Sequence, residues 1–210
     1  MTYFAHTATL PVGRPDPNDG HWQPLKHHLR NVGDLAKRFG EPLRLGAEAE
    51  LAGLLHDLGK YRDEFQSYLR GERASSVETR HAIYGAAWAL EPHQQLGTFL
   101  AIAGHHAGLH DLTDAKDAAV KALAALPELT RRIESELGPL PIPPGIPPHV
   151  ADSLSADVYT RLLFSCVVDA DRLDTAFWPT GLLWMVIRYT TYDLAVFGIT
   201  FPSRVRGPGR

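Results

Sequence analysis

Histidine and aspartate are the residues of this chain whose types and spacing could do chemistry. The sequence holds eleven histidines and one cysteine, and several of the histidines stand within apolar stretches. An imidazole or carboxylate that is buried alone is costly, whereas shared coordination of a metal ion removes that cost. The pattern therefore predicts a metal site, and its candidate ligands are His28, His56, Asp57, His81, His105, His106 and Asp171.

The first helix distinguishes two adjacent histidines. Apolar residues recur every three or four positions from Leu25 to Phe39, which predicts an amphipathic helix. His28 lies on the apolar side of that helix and His27 lies on its polar side. We therefore expect His28 to be a ligand and His27 to face solvent.

The pair His56-Asp57 follows the apolar run of residues 51–55. Side chains at adjacent helical positions differ in direction by about 100°, so both can reach a site that lies between their directions. The carboxylate of Asp57 can also bridge two ions.

The remaining candidate ligands are also expected on apolar helices. His81 shares a predicted helix face with apolar residues, and His105 and His106 end a helix that is apolar on nearly every side. Asp171 stands one turn beyond Val167 on the last predicted helix. Each of these groups needs a buried partner, which mutual coordination would provide.

The number and chemistry of the ligands indicate which ions they would hold. Seven ligands are too many for one ion, whereas two ions bridged by Asp57 would satisfy them and leave water or hydroxide between the ions, as in two-metal hydrolysis. Imidazole and carboxylate suit Mn, Fe, Co, Ni or Zn, and the near absence of cysteine argues against a closed thiolate zinc site. We expect one or two divalent transition-metal ions, with Mn, Fe, Co or Ni preferred to Mg or Zn.

Helices are predicted to position these ligands. They cover residues 25–39, 47–58 with Gly59 as C-cap, 61–69, 79–90, 95–106 and 152–174, with two short surface helices in 113–137 that are separated at Pro127. The buried side of the last helix is predicted to carry Leu154, Val158, Leu162, Leu163, Val167 and Ala170.

The predicted helices form one domain, residues 24–178. Residues 1–23 are rich in proline and glycine and are expected to form an irregular lead-in, and 138–148 should be a stiff connector. Residues 179–210 are expected to be a C-terminal extension that packs on the domain, with a flexible tail at 203–210. For residues 182–199 the sequence leaves helix and strand open.

Composition restricts the class of protein. The net charge is −3 and the pI near 6.4, so any contact with a polyanion must come from a local patch or a bound metal. Cys166 has apolar neighbours in the sequence and no possible intrachain disulfide partner, which favours a reducing compartment, the cytoplasm. We see no export signal and no membrane anchor.

The sequence resembles the HD superfamily of metal-dependent phosphohydrolases through His28, through His56-Asp57 with Lys60 in HDLGK, and through Asp171. It is more closely similar to the HD nuclease domain of the CRISPR type I interference helicase-nuclease. The matching segments, all between residues 25 and 175, are LKHHLRNVGDLA, LLHDLGKYRDEFQSYL, RHAIYGAAWAL, GHHAGL and CVVDADRLDT.

The resemblance implies an all-α helical bundle with a metal site in its core that hydrolyses phosphodiester bonds in single-stranded DNA. The implied partners are a helicase subunit or domain and a crRNA-guided surveillance complex, with no membrane involved. By position, one ion would be held by His28, His56, Asp57 and Asp171, and the second by Asp57, His81, His105 and His106. Asp57 and Lys60 would be catalytic, with Lys60 steadying phosphate or a ligand carboxylate.

Several alternatives stay open. Lys60 could instead compensate the dipole at a helix C-terminus. Asp169 and Asp174 share a helix with Asp171, which is preferred because Ala-Asp followed by a bulky residue matches the family pattern. The sequence contains no phosphate-binding loop GxxxxGK[ST], so it would be a stand-alone nuclease subunit or a fragment. Other possible functions are hydrolysis of a nucleotide or cyclic dinucleotide, and non-catalytic binding of nucleic acid or a partner.

Overall fold

Helices account for most of the computed structural model, which describes residues 2–8, 16–76, 80–91, 93–109 and 111–178. The eight helices of these residues are α1 (Leu25–Gly40), α2 (Gly46–Leu55), α3 (Asp63–Leu69), α4 (Ala82–Leu90), α5 (Leu96–Gly104), α6 (Leu112–Val120), α7 (Leu126–Leu137) and α8 (Ser153–Phe177). Within the same residues, β1 (Phe4–His6) and β2 (Gln23–Pro24) form a small antiparallel sheet. The predicted all-α bundle is confirmed.

The centre of the bundle is formed by α1, α2, α5 and α8. Helix α1 packs on α2 and α8, and α5 packs on α8 and α4. The core between them contains fully buried aliphatic side chains, among them Leu29, Val32, Leu55, Ile102 and Leu163. Helices α6 and α7 contact α4 from outside this group. None of the described helices is both long enough and apolar enough to cross a bilayer.

Two glycines allow helices to approach closely beside the pair His56-Asp57, which we call the HD pair. A Cβ atom at Gly53 would lie 2.8 Å from the Cα atom of Gly33, so α1 and α2 meet without side chains between them. A Cβ atom at Gly85 would overlap the carbonyl oxygen of Leu55, so α4 rests on the C-terminal end of α2. This contact brings the residues after Leu55 close to those that precede α4.

Helix α2 is shorter than predicted. It ends at Leu55 with His56 as C-cap, and a 3-10 turn, Leu58–Tyr61, follows. The prediction that Gly59 caps this helix was wrong. The α-helical backbone is interrupted at the HD pair itself, because Asp57 has φ −110° and ψ 20°.

Predicted ligands also lie at the start of α4 and at the end of α5. Helix α4 begins at Ala82, and His81 is its N-cap. The prediction that His81 lies on the apolar face of this helix was wrong. Helix α5 ends at Gly104, and His105 is its C-cap. These two histidines therefore project from helix ends.

The boundary between α6 and α7 differs from the prediction. Helix α7 begins at Leu126 with Pro127 in its first turn, and residues 121–125 separate the two helices. The prediction of a break at Pro127 was wrong because proline lacks only an N–H group that a first helical turn leaves unused.

Helix α8 begins with a capping box between Asp152 and Ser155. The predicted burial of Leu163, Val167 and Ala170 is confirmed. The predicted burial of the other three apolar residues was wrong, because the buried stripe runs through Tyr159 and turns their ridge towards solvent: Leu154, Val158 and Leu162 are 72%, 46% and 36% exposed.

The expected lead-in, residues 1–23, contains a strand that packs on the domain. Phe4 and Ala5 of β1 are buried. The Phe4 N–H donates to Gln66 Oε1 at 3.1 Å, and Gln66 Nε2 donates to the Phe4 carbonyl at 3.0 Å. The predictions for residues 179–210 lie outside the described residues.

Candidate metal centre

Four predicted ligands meet between α1, the end of α2 and α8, and we call them the first cluster: His28, His56, Asp57 and Asp171. His28 Nε2 lies 3.2 Å from His56 Nε2, 3.2 Å from Asp57 Oδ2 and 3.4 Å from Asp171 Oδ1. His56 Nε2 lies 3.3 Å from Asp57 Oδ2 and 3.7 Å from Asp171 Oδ1. Imidazole nitrogens and carboxylate oxygens thus face one point.

The other predicted ligands gather on the opposite side of the same carboxylate, and we call Asp57, His81, His105 and His106 the second cluster. Asp57 Oδ1 lies 3.0 Å from His81 Nε2 and 3.8 Å from His105 Nε2. His81 Nε2 lies 2.7 Å from His106 Nε2. One ligand atom from each of the four lies within 4.8 Å of the others. Asp57 therefore directs one oxygen towards each cluster.

The two clusters differ in their access to solvent. His28, His56 and Asp57 are buried, and Asp171 is partly buried. In the second cluster His105 is buried, but His81 is only partly buried and His106 is exposed. A ligand from solvent could approach the second cluster directly.

The backbone orients two of the histidines. The Nδ1–H group of His56 donates to the Gly53 carbonyl, and that of His105 donates to the Ile102 carbonyl, each at 2.7 Å. Each acceptor lies three residues earlier, at the end of the histidine's own helix. In the neutral ring the proton thereby stays on Nδ1, and Nε2 is the nitrogen that can offer its lone pair to an ion in the clusters.

Asp174 orients a third histidine, His28, from the side of the ring that faces away from the first cluster. Its Oδ2 atom accepts a hydrogen bond of 2.6 Å from His28 Nδ1, and the carboxylate also accepts from Gln23 Nε2 at 2.5 Å and from Asn31 Nδ2 at 2.8 Å. A carboxylate in this position fixes the tautomer and direction of a ligating imidazole. On the same helix, Asp171 faces the first cluster and Asp169 is exposed.

Lys60 is buried and contacts a carboxylate of the clusters. Its Nζ atom lies 2.6 Å from Asp57 Oδ2 and donates to the Ala5 carbonyl at 3.1 Å. Of the expected roles, this contact favours the one in which Lys60 steadies a ligand carboxylate.

The charges of the first cluster balance one another. Burial would lower the pKa of His28, but hydrogen bonds with Asp171, Asp174 and Asp57 outweigh it and raise the pKa to about 10. Burial would also lower the pKa of His56, but the negative charge of Asp57 outweighs burial and raises that pKa to about 9. Burial would raise the pKa of Asp57, but Lys60, His56 and His81 hold it well below its usual value. Protons thus compensate carboxylates at a place that suits a cation.

Two observations indicate that these residues fit a divalent ion. Ligand atoms about 2.1 Å from one ion stand about 3.0 Å apart at right angles and about 3.4 Å apart at tetrahedral angles. The distances of 3.2 to 3.4 Å around His28 Nε2 agree with this geometry. In the second cluster, Asp57 Oδ1 and His105 Nε2 are buried and make no hydrogen bond among the described residues, since the contact of Asp57 Oδ1 with His81 lacks hydrogen-bond geometry. A metal ion would satisfy both atoms.

His6 also lies at the first cluster, although it was not among the predicted ligands. Its ring centroid lies 5.0 Å from that of His28, and ligand atoms of His6, His28 and Asp171 lie within 4.8 Å of one another. Burial and the nearby Lys60 and His28 charges lower its pKa to about 3. The available sequence signal was one histidine after the apolar Tyr3-Phe4-Ala5, in a strand too short to predict.

Apart from His6, the described histidines that were not predicted as ligands lie outside both clusters. His27 is exposed, as predicted from the helix phase. His21 and His149 are exposed as well, His93 packs on Trp88, and His110 lies outside the described residues.

Comparison with protein families matches the HD domain at residues 25–157, which is more than half of the chain. Asp171 and His6 lie beyond the matched range. A comparison with curated proteins found no match. HD domains bind divalent metals and are typically metal-dependent hydrolases, and the His and Asp clusters of this chain could hold such ions. The chain belongs to the HD domain family.

Proposed function

We propose that the protein is a metal-dependent nuclease that hydrolyses phosphodiester bonds of single-stranded DNA in CRISPR type I interference. The observation that carries the proposal is the position of Asp57, whose two oxygens face one buried cluster and one that is open to solvent. Family membership supports metal-dependent hydrolysis, and the similarity of the five sequence segments supports the substrate and the pathway.

Each cluster would hold one ion in this proposal. The ligands of the first would be His28, His56, Asp57 and Asp171, and those of the second Asp57, His81, His105 and His106. A set rich in imidazole favours Mn, Fe, Co or Ni over Mg. When bound, such ions neutralise charge on phosphoryl oxygens and lower the pKa of a water molecule to near neutrality.

The protein's own groups prepare the site. Lys60 keeps Asp57 ionised, so that both of its oxygens can accept a cation. The backbone carbonyls of Gly53 and Ile102 keep the lone pairs of His56 and His105 towards the clusters. Because Lys60 is buried and bound to Asp57 and Ala5, we assign it a positioning role and no contact with substrate.

The solvent access of the second cluster favours a long substrate. The exposed His106 and the partly buried His81 form an edge that a polymer can approach without threading into a closed pocket. The protein carries a net charge of −3, so its overall field does not attract DNA. We therefore propose that a helicase subunit or domain and a crRNA-guided surveillance complex present the single strand.

The test is cleavage by the metal-stripped protein after addition of Mn, Co, Ni or Mg, on circular single-stranded DNA, linear duplex DNA and a panel of nucleotides and cyclic dinucleotides. We expect metal-dependent cutting of the single strand, and cutting of the circle would add endonuclease activity. Asp57→Asn should abolish cutting, whereas His27→Ala, with its exposed imidazole, should retain it.

The other outcomes would assign a different function. Hydrolysis of a nucleotide without cutting of DNA would identify a small-molecule phosphohydrolase. Metal binding without hydrolysis of any substrate would contradict the proposed nuclease and favour a non-catalytic binding module. Full activity of a folded Asp57→Asn protein would reject the site itself.

A further inference from the structure

We propose that His6 is an additional ligand of the ion held by the first cluster, so that the N-terminal strand completes the metal site. This inference rests on the proposed metal-dependent function. It adds a residue outside the range that matches the HD domain, residues 25–157.

The fold brings His6 to the first cluster through the small sheet. His6 is the last residue of β1 and pairs with Gln23 of β2, and β2 leads directly into α1, which carries His28. The rings of His6 and His28 are perpendicular, with centroids 5.0 Å apart. Ligand atoms of His6, His28 and Asp171 lie within 4.8 Å of one another, as ligands of one ion must.

The strand that carries His6 is fixed by the same residue that fixes the bridging carboxylate. Lys60 donates to the carbonyl of Ala5, the residue before His6, and it also pairs with Asp57. Gln66 holds Phe4 through both its N–H and its carbonyl. The position of His6 is thus set by contacts with the domain, as ligation requires.

The hydrogen bonding of His6 leaves room for a metal. Its Nε2 atom lies 3.4 Å from Thr175 Oγ1, which is long for a hydrogen bond. By contrast, the second nitrogen of His28, His56 and His105 is held at 2.6 to 2.7 Å by its acceptor. An imidazole that is partly buried near the Asp171 carboxylate and otherwise makes only a long hydrogen bond is suited to coordination.

His6 would affect how tightly the ion of the first cluster is bound. With His6, the first cluster would offer one ligand more than its four members and leave fewer positions for water. We therefore expect the ion of the first cluster to be held more tightly than the ion of the second, whose ligands His81 and His106 are accessible to solvent.

The test measures metal binding by the full chain, stripped of metal and titrated with Mn²⁺ in a calorimeter and with Co²⁺ in the visible spectrum. We expect His6→Ala to weaken the tighter binding step at least tenfold, of the order found when a metal ligand's support is removed, and to alter the Co²⁺ bands. His6→Gln, which keeps most of the side-chain volume, should show the same loss.

Two controls separate ligation from packing. His27→Ala removes an exposed imidazole from the neighbouring helix, and Thr175→Ala removes the hydrogen-bond partner of His6 but keeps its ring. Both should bind Mn²⁺ and Co²⁺ like the unaltered protein. Unchanged affinity and spectrum in both His6 variants would overturn the inference, and so would an equal loss in Thr175→Ala.

The outcome is independent of the nuclease assay. A loss of affinity in the His6 variants of a protein that cuts no DNA would remove the proposed nuclease and keep the ligand assignment. Metal-dependent cutting of DNA by a protein whose His6 variants bind metal normally would keep the proposed nuclease and remove the ligand assignment of His6.

Discussion

Asp57 and Lys60 form a buried pair on which the arrangement of the site depends. The Lys60 ammonium and the Asp57 carboxylate are 2.6 Å apart, and their side chains are 4% and 2% exposed. In a metal-free protein the carboxylate also compensates the imidazoles around it. Removing one member of such a pair leaves an uncompensated charge in the interior.

We expect Asp57→Asn to lower the free energy of unfolding of the metal-free protein by about 3 kcal/mol, because it strands the buried ammonium. The double variant Asp57→Asn, Lys60→Met should recover part of this loss without recovering metal binding. Urea unfolding of the stripped proteins measures both effects. A double variant no more stable than Asp57→Asn alone would contradict the pairing.

Asp174 should affect metal binding through His28. We expect Asp174→Ala to weaken metal binding about 10- to 100-fold, because His28 loses the acceptor that fixes its tautomer. Asp169→Ala is the matched control on the same helix, since its carboxylate is exposed, and it should bind metal normally. Equal affinities of the two variants in a Mn²⁺ titration would contradict the assigned role of Asp174.

Metal binding should release protons. Without metal, the pKa values of His28 and His56 are raised to about 10 and about 9, so at pH 7.5 the first cluster holds protons that a cation must displace. Titration calorimetry in buffers of different ionisation enthalpy should report the release of about one to two protons per ion. As the pH rises through 9 and 10 these groups lose their protons, and the release should decline. A buffer-independent heat at pH 7.5 would contradict the protonated state.

At the scale of elements, the ligands are placed by helix ends. His56 and His105 are C-caps and His81 is an N-cap. A C-cap histidine can donate to the carbonyl three residues earlier, which frees its other nitrogen for a metal. The contact of α4 with the end of α2 then decides whether His81 reaches Asp57.

Gly85 should be intolerant of a side chain. A Cβ atom there would overlap the Leu55 carbonyl oxygen directly before His56. We expect Gly85→Ala to cost about 1–3 kcal/mol of unfolding free energy by overpacking and to weaken metal binding by displacing His81. Denaturant unfolding and a metal titration measure the two effects.

Gly46→Ala is the control for this substitution. Gly46 is in the first turn of α2. Its Cβ atom would lie 3.0 Å from the Cγ atom of Glu41 and 3.4 Å from the Lys37 carbonyl oxygen, which are much looser contacts than the overlap at Gly85, so Gly46→Ala should cost less unfolding free energy than Gly85→Ala. A Gly85→Ala protein as stable as Gly46→Ala would show that α4 can move away from α2.

At the scale of the whole molecule, the clusters join parts of the chain that are far apart in sequence. They combine α1, the end of α2, the residue before α4, the end of α5 and α8. Ligands that are scattered in the unfolded chain bind metal weakly, so binding should stabilise the folded state.

We expect a metal concentration of about 100 times the dissociation constant to add about 2.7 kcal/mol of stability. For a chain of this size that raises the melting temperature by about 5 to 10 °C. A chelator should reverse the rise, and Asp57→Asn should show little of it. A melting temperature that does not respond to metal would argue against sites that span the fold.

Local patterns in the sequence determined much of this protein. The three- and four-residue spacing of apolar side chains predicts the helices and separates buried His28 from exposed His27, because helix phase depends on residues one turn apart. The seven predicted ligands lie together in the structure, since imidazoles and carboxylates in apolar segments need partners from other segments.

The tertiary structure decided what depends on contacts between distant segments. Gly85 sets α4 directly against the end of α2 at Leu55, a contact that helix periodicity does not encode. Asp171 and Asp174 differ in role because one faces the first cluster and the other meets Gln23 and Asn31. His6 reaches the first cluster because Lys60 and Gln66 hold a three-residue strand against the domain. A strand of that length has too little local pattern to be predicted, since its stability comes from the partners that it meets in the folded chain.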